Sequence, residues 1–198
     1  MPLNKILLVN LLALVIIACG VAITQPRNVK EYKLYLTEDR PALVLGFDEL
    51  SEEWTENDLK EHFKDQHLDC HDSPSSLTLG ERTCFIDINT LNAHAAMMAA
   101  FHFKQGKLNS ASFNTPWWSH EPALRYLTER YGEPTGAQLF FHDGVRLVGW
   151  QLKNASAVFY NQDRPFNPVS YNSVFWQSAR QCRSKAHGCF SKSRESIS

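Results

Sequence analysis

Ser119, His120 and Glu121 carry the three side-chain types that acyl-transfer enzymes combine, and they are adjacent in the chain. A hydroxyl, an imidazole and a carboxylate form a relay only when each reaches the next, and sequence neighbours on a helix point in different directions. The stretch is better explained as a helix start, with the Ser119 side chain capping the first turn. No phosphate-binding glycine loop, G-x-S-x-G elbow or H-E-x-x-H motif occurs, so no catalytic residue is predicted.

The other histidines are explained by structure rather than by chemistry. His94 and His102 flank a stretch rich in Ala and Met, where a histidine satisfied in the core or on a sheet surface is expected. His62 and His67 lie on or just after an acidic helix, which predicts solvated side chains.

Four cysteines in the body of the chain predict disulfide bonds, and they are Cys70, Cys84, Cys182 and Cys189. Four cysteines allow three pairings. The local one, Cys70 with Cys84 and Cys182 with Cys189, is the simplest, because each pair brackets a polar, turn-rich stretch. Closing the first loop restricts the unfolded chain by about 3 kcal/mol in the entropy model.

A metal site is the competing interpretation of the first cysteine pair. His67, Cys70, His71 and Cys84 offer soft ligands. However, no C-x-x-C pair is present, and acidic residues interrupt the cluster. The prediction is therefore disulfides, with no metal and no cofactor.

A fifth cysteine, Cys19, ends the apolar N-terminal run. Lys5 provides a short positive region, and twelve residues from Ile6 to Ile17 come after it, all apolar except Asn10. That length is typical of a signal peptide. The sequence IIAC at residues 16–19 resembles a bacterial lipobox, which implies cleavage before Cys19 and lipidation of its sulfur.

Lipidation is the preferred interpretation of this segment, and two alternatives rank below it. The first is an uncleaved membrane anchor, because the run extends to Ile23 and spans about 18 residues. Arg27, Lys30 and Lys33 lie just beyond it and argue against export of the body of the chain. The second alternative is ordinary cleavage after Gly20 and release as a soluble exported protein.

The best interaction candidates are aromatic. Trp117 and Trp118 precede a helix, and packing of both in the core is the favoured interpretation, with exposure of one as the alternative. An exposed tryptophan is a typical binding hot spot. Phe166 lies in the proline-flanked loop RPFNP, which can present it to a partner.

Composition and charge narrow the class of protein. The chain has 198 residues, 43% hydrophobic and 21% charged, which fits a packed globular body. Its formal net charge of −1 gives no overall field favouring nucleic acid. The five basic residues between Arg180 and Arg194 predict a frayed polar tail, with contact to anionic lipid as the alternative.

The elements are predicted from local patterns. Thr55 to Asp58 is a capping-box-like start for a helix over about 56–66, with Trp54, Leu59 and Phe63 forming its apolar stripe. The strands predicted next cover residues 84–88, 97–103 and 108–113, with a weaker possibility of a helical turn over 92–100. Gln105-Gly106-Lys107 is the predicted hairpin turn between the last two.

The pattern then recurs. A helix is expected over about 120–131, with Gly132 and Pro134 ending it. The strands predicted after it cover residues 138–142, 145–152 and 155–160. The fold class is therefore α+β, with antiparallel sheet packed by helices. The predicted segments are the N-terminal segment 1–24, a polar spacer 25–35, a globular domain 36–179 with units at about 50–113 and 114–162, and a basic tail 180–198.

The runs FHFKQGKL at 101–108, RYGEP at 130–134 and GWQLK at 149–153 resemble small exported proteins of the β-lactamase-inhibitor-protein or BamE-like type. The resemblance covers roughly residues 50–160. It implies helices laid over an antiparallel sheet, and a lipoprotein or binding module rather than an enzyme.

Together these features predict a membrane-tethered protein of the bacterial cell envelope, facing the periplasm, that binds, inhibits or helps to assemble an envelope protein. The alternative function is an exported hydrolase that uses His102, His120 or Glu121.

Overall fold

The structure is a computed structural model that describes residues 7, 10–12, 20, 24–73, 80–140, 145–184 and 188–190. It divides into two units, residues 1–38 and residues 39–198. In the first unit, helix α1 (Pro26–Thr37) has proline in its first turn, where the missing N–H removes no helical hydrogen bond. The residues predicted as a polar spacer therefore form a helix.

The second unit is a mixture of helix and strand. Its helices are α2 (Glu56–His62), α3 (His120–Tyr131) and α4 (Ala179–Arg183), and a 3₁₀ turn covers Trp117–Ser119. Its strands are β1 (Ala42–Leu43), β2 (Asp69–Asp72), β3 (Arg82–Asp87), β4 (Thr90–Leu91), β5 (His94–Ala95), β6 (Met98–Lys104), β7 (Lys107–Thr115), β8 (Gly136–Phe140), β9 (Val145–Gln151), β10 (Ala157–Asn161) and β11 (Asn172–Gln177).

An eight-stranded antiparallel sheet organises this unit, in the order β2-β3-β6-β7-β11-β10-β9-β8. The α+β class predicted from sequence is confirmed. The six predicted strands are present, and the sheet also contains β2 and β11, which the sequence patterns did not reveal. Strand β11 pairs with β7 over Asn172–Gln177 and so joins the two halves of the sheet.

A smaller three-stranded sheet, β1-β4-β5, precedes β6. Its last strand and the start of β6 occupy the stretch 92–100, where the weaker alternative was a helical turn. That alternative is wrong, because β5 pairs with β4 and Met98 and Ala99 pair with β3.

The local signals at the start of α2 and at the end of α3 are confirmed. Thr55 accepts a hydrogen bond from the Asp58 N–H at 3.3 Å, and the Asp58 carboxylate accepts from the Thr55 N–H at 2.7 Å. Helix α2 ends at His62, earlier than expected, since Phe63 leaves the helical conformation at φ −109° and ψ 36°. Gly132, with φ +84°, ends α3 as predicted.

The predicted hairpin turn between β6 and β7 is also confirmed. Gln105 and Gly106 have φ angles of +53° and +71°, the left-handed conformations that a two-residue hairpin turn requires. Lys104 and Lys107 form the pair that closes it.

Two hydrophobic clusters lie on opposite faces of the large sheet. Val158 and Tyr160 belong to the larger cluster, whereas Ala157 and Phe159 belong to the smaller one, and successive strand residues point to opposite faces. The larger cluster contains residues of α2 and α3, such as Leu59 and Leu127. The smaller one contains the disulfide Cys182–Cys189 and Phe190.

Both disulfides have the local pairing. Cys70 and Cys84 are direct partners across β2 and β3, with Cα atoms 4.0 Å apart. Cys182 and Cys189 are bonded seven positions apart at the C-terminal end of α4. The prediction of disulfide bonds is therefore confirmed.

Candidate protein-binding surface

The two tryptophans after β7 have different environments. Trp118 is 47% exposed, so the favoured prediction that both rings pack in the core is wrong. Trp117 is partly buried, and its indole N–H donates to the carbonyl oxygen of Pro165 at 2.5 Å. The guanidinium of Arg164 lies 4.6 Å from the centre of the Trp117 ring, in cation–π geometry.

Phe166 is fully exposed in the loop that joins β10 to β11. A turn centred on Asn167 comes directly after it, in which the Asn167 side chain accepts from the Val169 N–H at 3.1 Å. Because Trp117 bonds to Pro165, the residue next to Phe166, the structure brings the segment that carries both tryptophans against the loop that carries Phe166. We call Trp117, Trp118, Arg164, Pro165 and Phe166 the aromatic surface.

The two segments that carry this surface are also joined at the ends of the strands from which they extend. Thr115 and Asn172 are strand partners, and the ring Nε2–H of His120 donates to the carbonyl of Asn161 at 3.0 Å. The Thr115 hydroxyl contacts the Tyr160 hydroxyl at 3.2 Å, and the rings of His120 and Tyr160 stack with centroids 5.4 Å apart. The aromatic surface therefore rests on a buried polar base.

Ser119, His120 and Glu121 make separate contacts in the structure. The Ser119 hydroxyl donates to the carbonyl of Ala95 at 3.1 Å and makes no capping bond, so its predicted role as a helix cap is wrong. His120 bonds to a backbone carbonyl of β10, and the Glu121 carboxylate lies 4.0 Å from its Nδ1, too far for a hydrogen bond. The three side chains do not form a relay.

An exposed ion pair lies beside the aromatic surface. Arg146 pairs with Asp163, the residue before Arg164, with Nη2–Oδ2 and Nε–Oδ2 distances of 2.7 and 2.9 Å. Both members of this pair are more than half exposed, so it contributes little to stability. Arg164 is therefore the main cation offered by the loop.

A buried polar chain lies on the opposite face of the sheet, and no sequence pattern indicated it. Ser73 contacts Thr83 at 2.6 Å, and the Thr83 hydroxyl contacts His102 Nδ1 at 3.1 Å. Burial lowers the pKa of His102 to about 4, so the ring is neutral near pH 7. Its Nε2 and the hydroxyl of Ser110, its partner on β7, have no hydrogen-bond partner among the described residues.

The histidines of the metal set suggested by the sequence do not join its cysteines in a cluster among the described residues. Cys70 and Cys84 are consumed by their disulfide, and His71 stacks on the ring of Phe85 at 5.1 Å, so the metal set suggested by the sequence does not assemble. Cys19, the predicted lipidation site, lies outside the described residues.

The beginning of the basic tail is bound to the body. The Arg180 N–H and guanidinium both bond to Glu52, and Arg183 Nη2 lies 2.9 Å from the Glu52 carboxylate. The rest of the tail beyond residue 190 lies outside the described residues. Two of its five cations are thus engaged by Glu52 rather than presented to lipid.

No helix among the described residues has the length and apolarity of a membrane span, and most of the apolar N-terminal run falls outside them. Comparisons with protein-family models, with curated proteins and with solved structures found no match to this chain.

Proposed function

We propose that this chain is a protein-binding module of the bacterial cell envelope, tethered to a membrane through its N-terminal segment, and that a partner protein binds at the aromatic surface. One observation carries the proposal: Trp118 and Phe166 are exposed, and each is the chain neighbour of one member of the Trp117–Pro165 hydrogen bond. Large exposed aromatic side chains held in place by their surroundings are the usual anchors of protein interfaces.

The proposed location rests on two further features. Two disulfides fit an oxidising, exported compartment. The apolar run ending at Cys19 supplies the means of export and attachment. Intact mass of the native protein tests this part, since lipidation adds mass at Cys19 and the accompanying cleavage before Cys19 removes residues 1–18. An unmodified full-length chain with reduced cysteines would contradict the proposed location.

We further propose that the two halves of the second unit are related, as the recurring helix-and-strand pattern of the sequence suggests. Helix α2 is followed by β2, β3, β6 and β7, and α3 is followed by β8 to β11. An experimental structure tests this relation. The backbones of residues 56–115 and 120–177 should superpose helix on helix and strand on strand.

Site-specific crosslinking in the native cell tests the proposed interface. A photo-reactive residue at position 166 in the full-length chain should capture one defined envelope protein, and Trp118→Ala should abolish the capture. The matched control is a photo-reactive residue at Val44, which is 80% exposed and lies in the same unit. Equal capture from both positions, or capture that Trp118→Ala does not change, would contradict the proposal.

Once a partner is identified, its affinity gives a second test. Trp118→Ala and Phe166→Ala should each weaken binding about tenfold or more, because an interface hot spot contributes about 2 kcal/mol or more and about 1.4 kcal/mol corresponds to a factor of ten. Val44→Ala should leave the dissociation constant unchanged.

A second candidate, an exported hydrolase, is favoured by the Ser73–Thr83–His102 chain. A histidine oriented through Nδ1 is a feature of general bases. Its pKa of about 4 is low for such a role at neutral pH, which places this candidate second. Turnover of an ester, glycoside or peptide substrate that His102→Ala abolishes would establish the hydrolase instead.

A further inference from the structure

A carboxylate lies beside the first disulfide. The ligand atoms of Glu56, Cys70 and Cys84, one carboxylate oxygen and two sulfurs, all lie within 4.8 Å of one another. The residues come from α2, β2 and β3, three elements that meet only in the folded protein. Two sulfurs and one oxygen from three side chains are a ligand set that zinc accepts, with a fourth position left for water.

The scaffold keeps the two sulfur positions adjacent without the bond between them. Cys70 and Cys84 are direct partners in the β2–β3 ladder, and the pairs Asp69–Phe85, His71–Thr83 and Asp72–Arg82 flank them. Strand β3 is in turn paired with β6 along its whole length. Opening the disulfide therefore leaves the cysteines on facing positions of an intact antiparallel ladder.

The carboxylate is also held in place. Arg82 bonds to both oxygens of Glu56 through Nε and Nη2, and Lys60 Nζ lies 2.6 Å from Oε1. These hydrogen bonds, from Arg82 first and then Lys60, lower the pKa of Glu56 to about 2, so the group is an ionised ligand at neutral pH. Hydrogen bonds of this kind orient metal-ligating carboxylates.

The charges are suited to a divalent cation. Two thiolates, one carboxylate and Zn²⁺ together carry one negative charge, and the neighbouring Arg82 and Lys60 are cations that offset it. Cys182 and Cys189 form a different environment, since no carboxylate joins them in a comparable cluster among the described residues.

We propose that Glu56, Cys70 and Cys84 form a latent zinc site that reduction of the Cys70–Cys84 disulfide opens. A dithiol reductant supplies two electrons and two protons, becomes a disulfide itself and leaves Cys70 and Cys84 as thiols. Each thiol then releases its proton to solvent as its sulfur bonds to Zn²⁺, and one Glu56 oxygen supplies the third protein ligand. The site is independent of the aromatic surface.

Metal titration of the full-length chain tests this site. The protein is reduced under anaerobic conditions, and Zn²⁺ is added in the presence of a chromogenic chelator. The reduced chain should bind one equivalent while keeping its circular dichroism spectrum, and the oxidised chain should bind none. Co²⁺ added instead should produce thiolate-to-cobalt charge-transfer absorption.

Variants identify the ligands. Cys70→Ser/Cys84→Ser should lose the equivalent, whereas Cys182→Ser/Cys189→Ser should keep it, and Cys19 is common to all of these chains. Glu56→Gln should weaken Zn²⁺ binding more than about tenfold, because even a hydrogen-bond partner of a ligand contributes a factor of about 10 to 100. Glu61→Gln, an exposed charge change on the same helix, is the control and should have no effect.

The contradicting results are equally definite. Absence of a bound equivalent in the reduced chain, or binding that survives Cys70→Ser/Cys84→Ser, would overturn the proposal. Binding accompanied by loss of the folded spectrum would show capture by an unfolded chain and would also overturn it. Unchanged Zn²⁺ affinity in Glu56→Gln would show that Glu56 is not a ligand and would overturn the proposed three-residue site.

Discussion

The ring of Phe190 lies against Gly149, at the place where any other residue would put its Cβ. A Cβ on Gly149 would come within 2.7 Å of the Phe190 ring and 2.6 Å of the Phe159 ring. Gly136, the strand partner of Gly149, makes a milder contact, with a distance of 3.2 Å from the Cβ position to Phe190. Phe190, the residue after the disulfide-bonded Cys189, therefore packs its ring against Gly149 and Gly136.

We expect Gly149→Ala to lower the free energy of unfolding by about 1–3 kcal/mol, because two aromatic rings must move to admit a methyl group. Gly136→Ala, with the longer contact, should cost less. Urea denaturation of both variants measures the order. A larger loss at Gly136 than at Gly149 would contradict this packing.

Removal of the disulfide that holds Phe190 should also destabilise the protein. Cys182→Ser/Cys189→Ser frees a short loop, and the entropy model assigns about 2–3 kcal/mol to such a closure. The loss should be visible as a lower urea midpoint. An unchanged midpoint would mean that the bond does not stabilise the folded chain.

Ala155 occupies a left-handed conformation with φ +63° in the turn before β10. Because that conformation costs a residue with a Cβ more than it costs glycine, Ala155→Gly should raise the free energy of unfolding by about 0.5–1 kcal/mol. Ala42→Gly is the matched control at an exposed position in β1, and it should lower stability by a similar amount. Thermal unfolding of the two variants gives the comparison.

The buried His102 predicts a dependence of stability on pH. Burial lowers its folded-state pKa from 6.5 to about 4, so between these values the unfolded chain binds more protons than the folded one. Above about pH 6.5, His102 therefore does not reduce the free energy of unfolding. As the pH falls from there towards 4, the free energy of unfolding decreases by about 2–3 kcal/mol.

Urea denaturation at pH 7 and pH 4.5 measures that loss. His102→Gln should remove the part that His102 contributes, leaving a smaller difference between the two pH values. His67→Gln, an exposed control, should retain the wild-type difference. The same pH dependence in all three proteins would show that another group is responsible.

The indole of Trp117 should order the loop that carries Phe166. Trp117→Phe removes the N–H that donates to Pro165 while keeping an aromatic ring beneath Arg164. We expect faster amide hydrogen exchange over residues 162–171, and unchanged exchange in β6 and β7. Unchanged exchange in the loop would mean that its base alone, at Asn161 and Asn172, holds it.

The features that could be predicted from the sequence depend on neighbours along the chain. Thr55 and Asp58 are three residues apart, Gln105 and Gly106 are adjacent, and Gly132 directly follows its helix. The residues that produce each of these features therefore all lie within one short stretch of sequence. The local disulfide pairing belongs to the same class, because the bonded cysteines are 14 and 7 positions apart.

The features that could not be predicted depend on contacts between distant segments. Strand β2 has the sequence DCHD, whose charges suit a sheet edge but do not produce a hydrophobic alternation. The meeting of Trp117 with Pro165 requires the pairing of β7 with β11, two strands that are far apart in the chain. Trp118 and Phe166 could therefore be named individually, but not as one surface.

Strand β11 comes last among the described strands, yet it occupies a central position in the sheet. A polypeptide that crosses a translocation pore N-terminus first must leave the edge of β7 unpaired until residue 177 has emerged. During that interval the exported part of the sheet has unpaired backbone N–H and C=O groups along the edge of β7. Such an unpaired strand edge can associate with strands of other chains. If the chain is exported as proposed, the large sheet is therefore completed only when β11, the last of the described strands, has crossed the membrane.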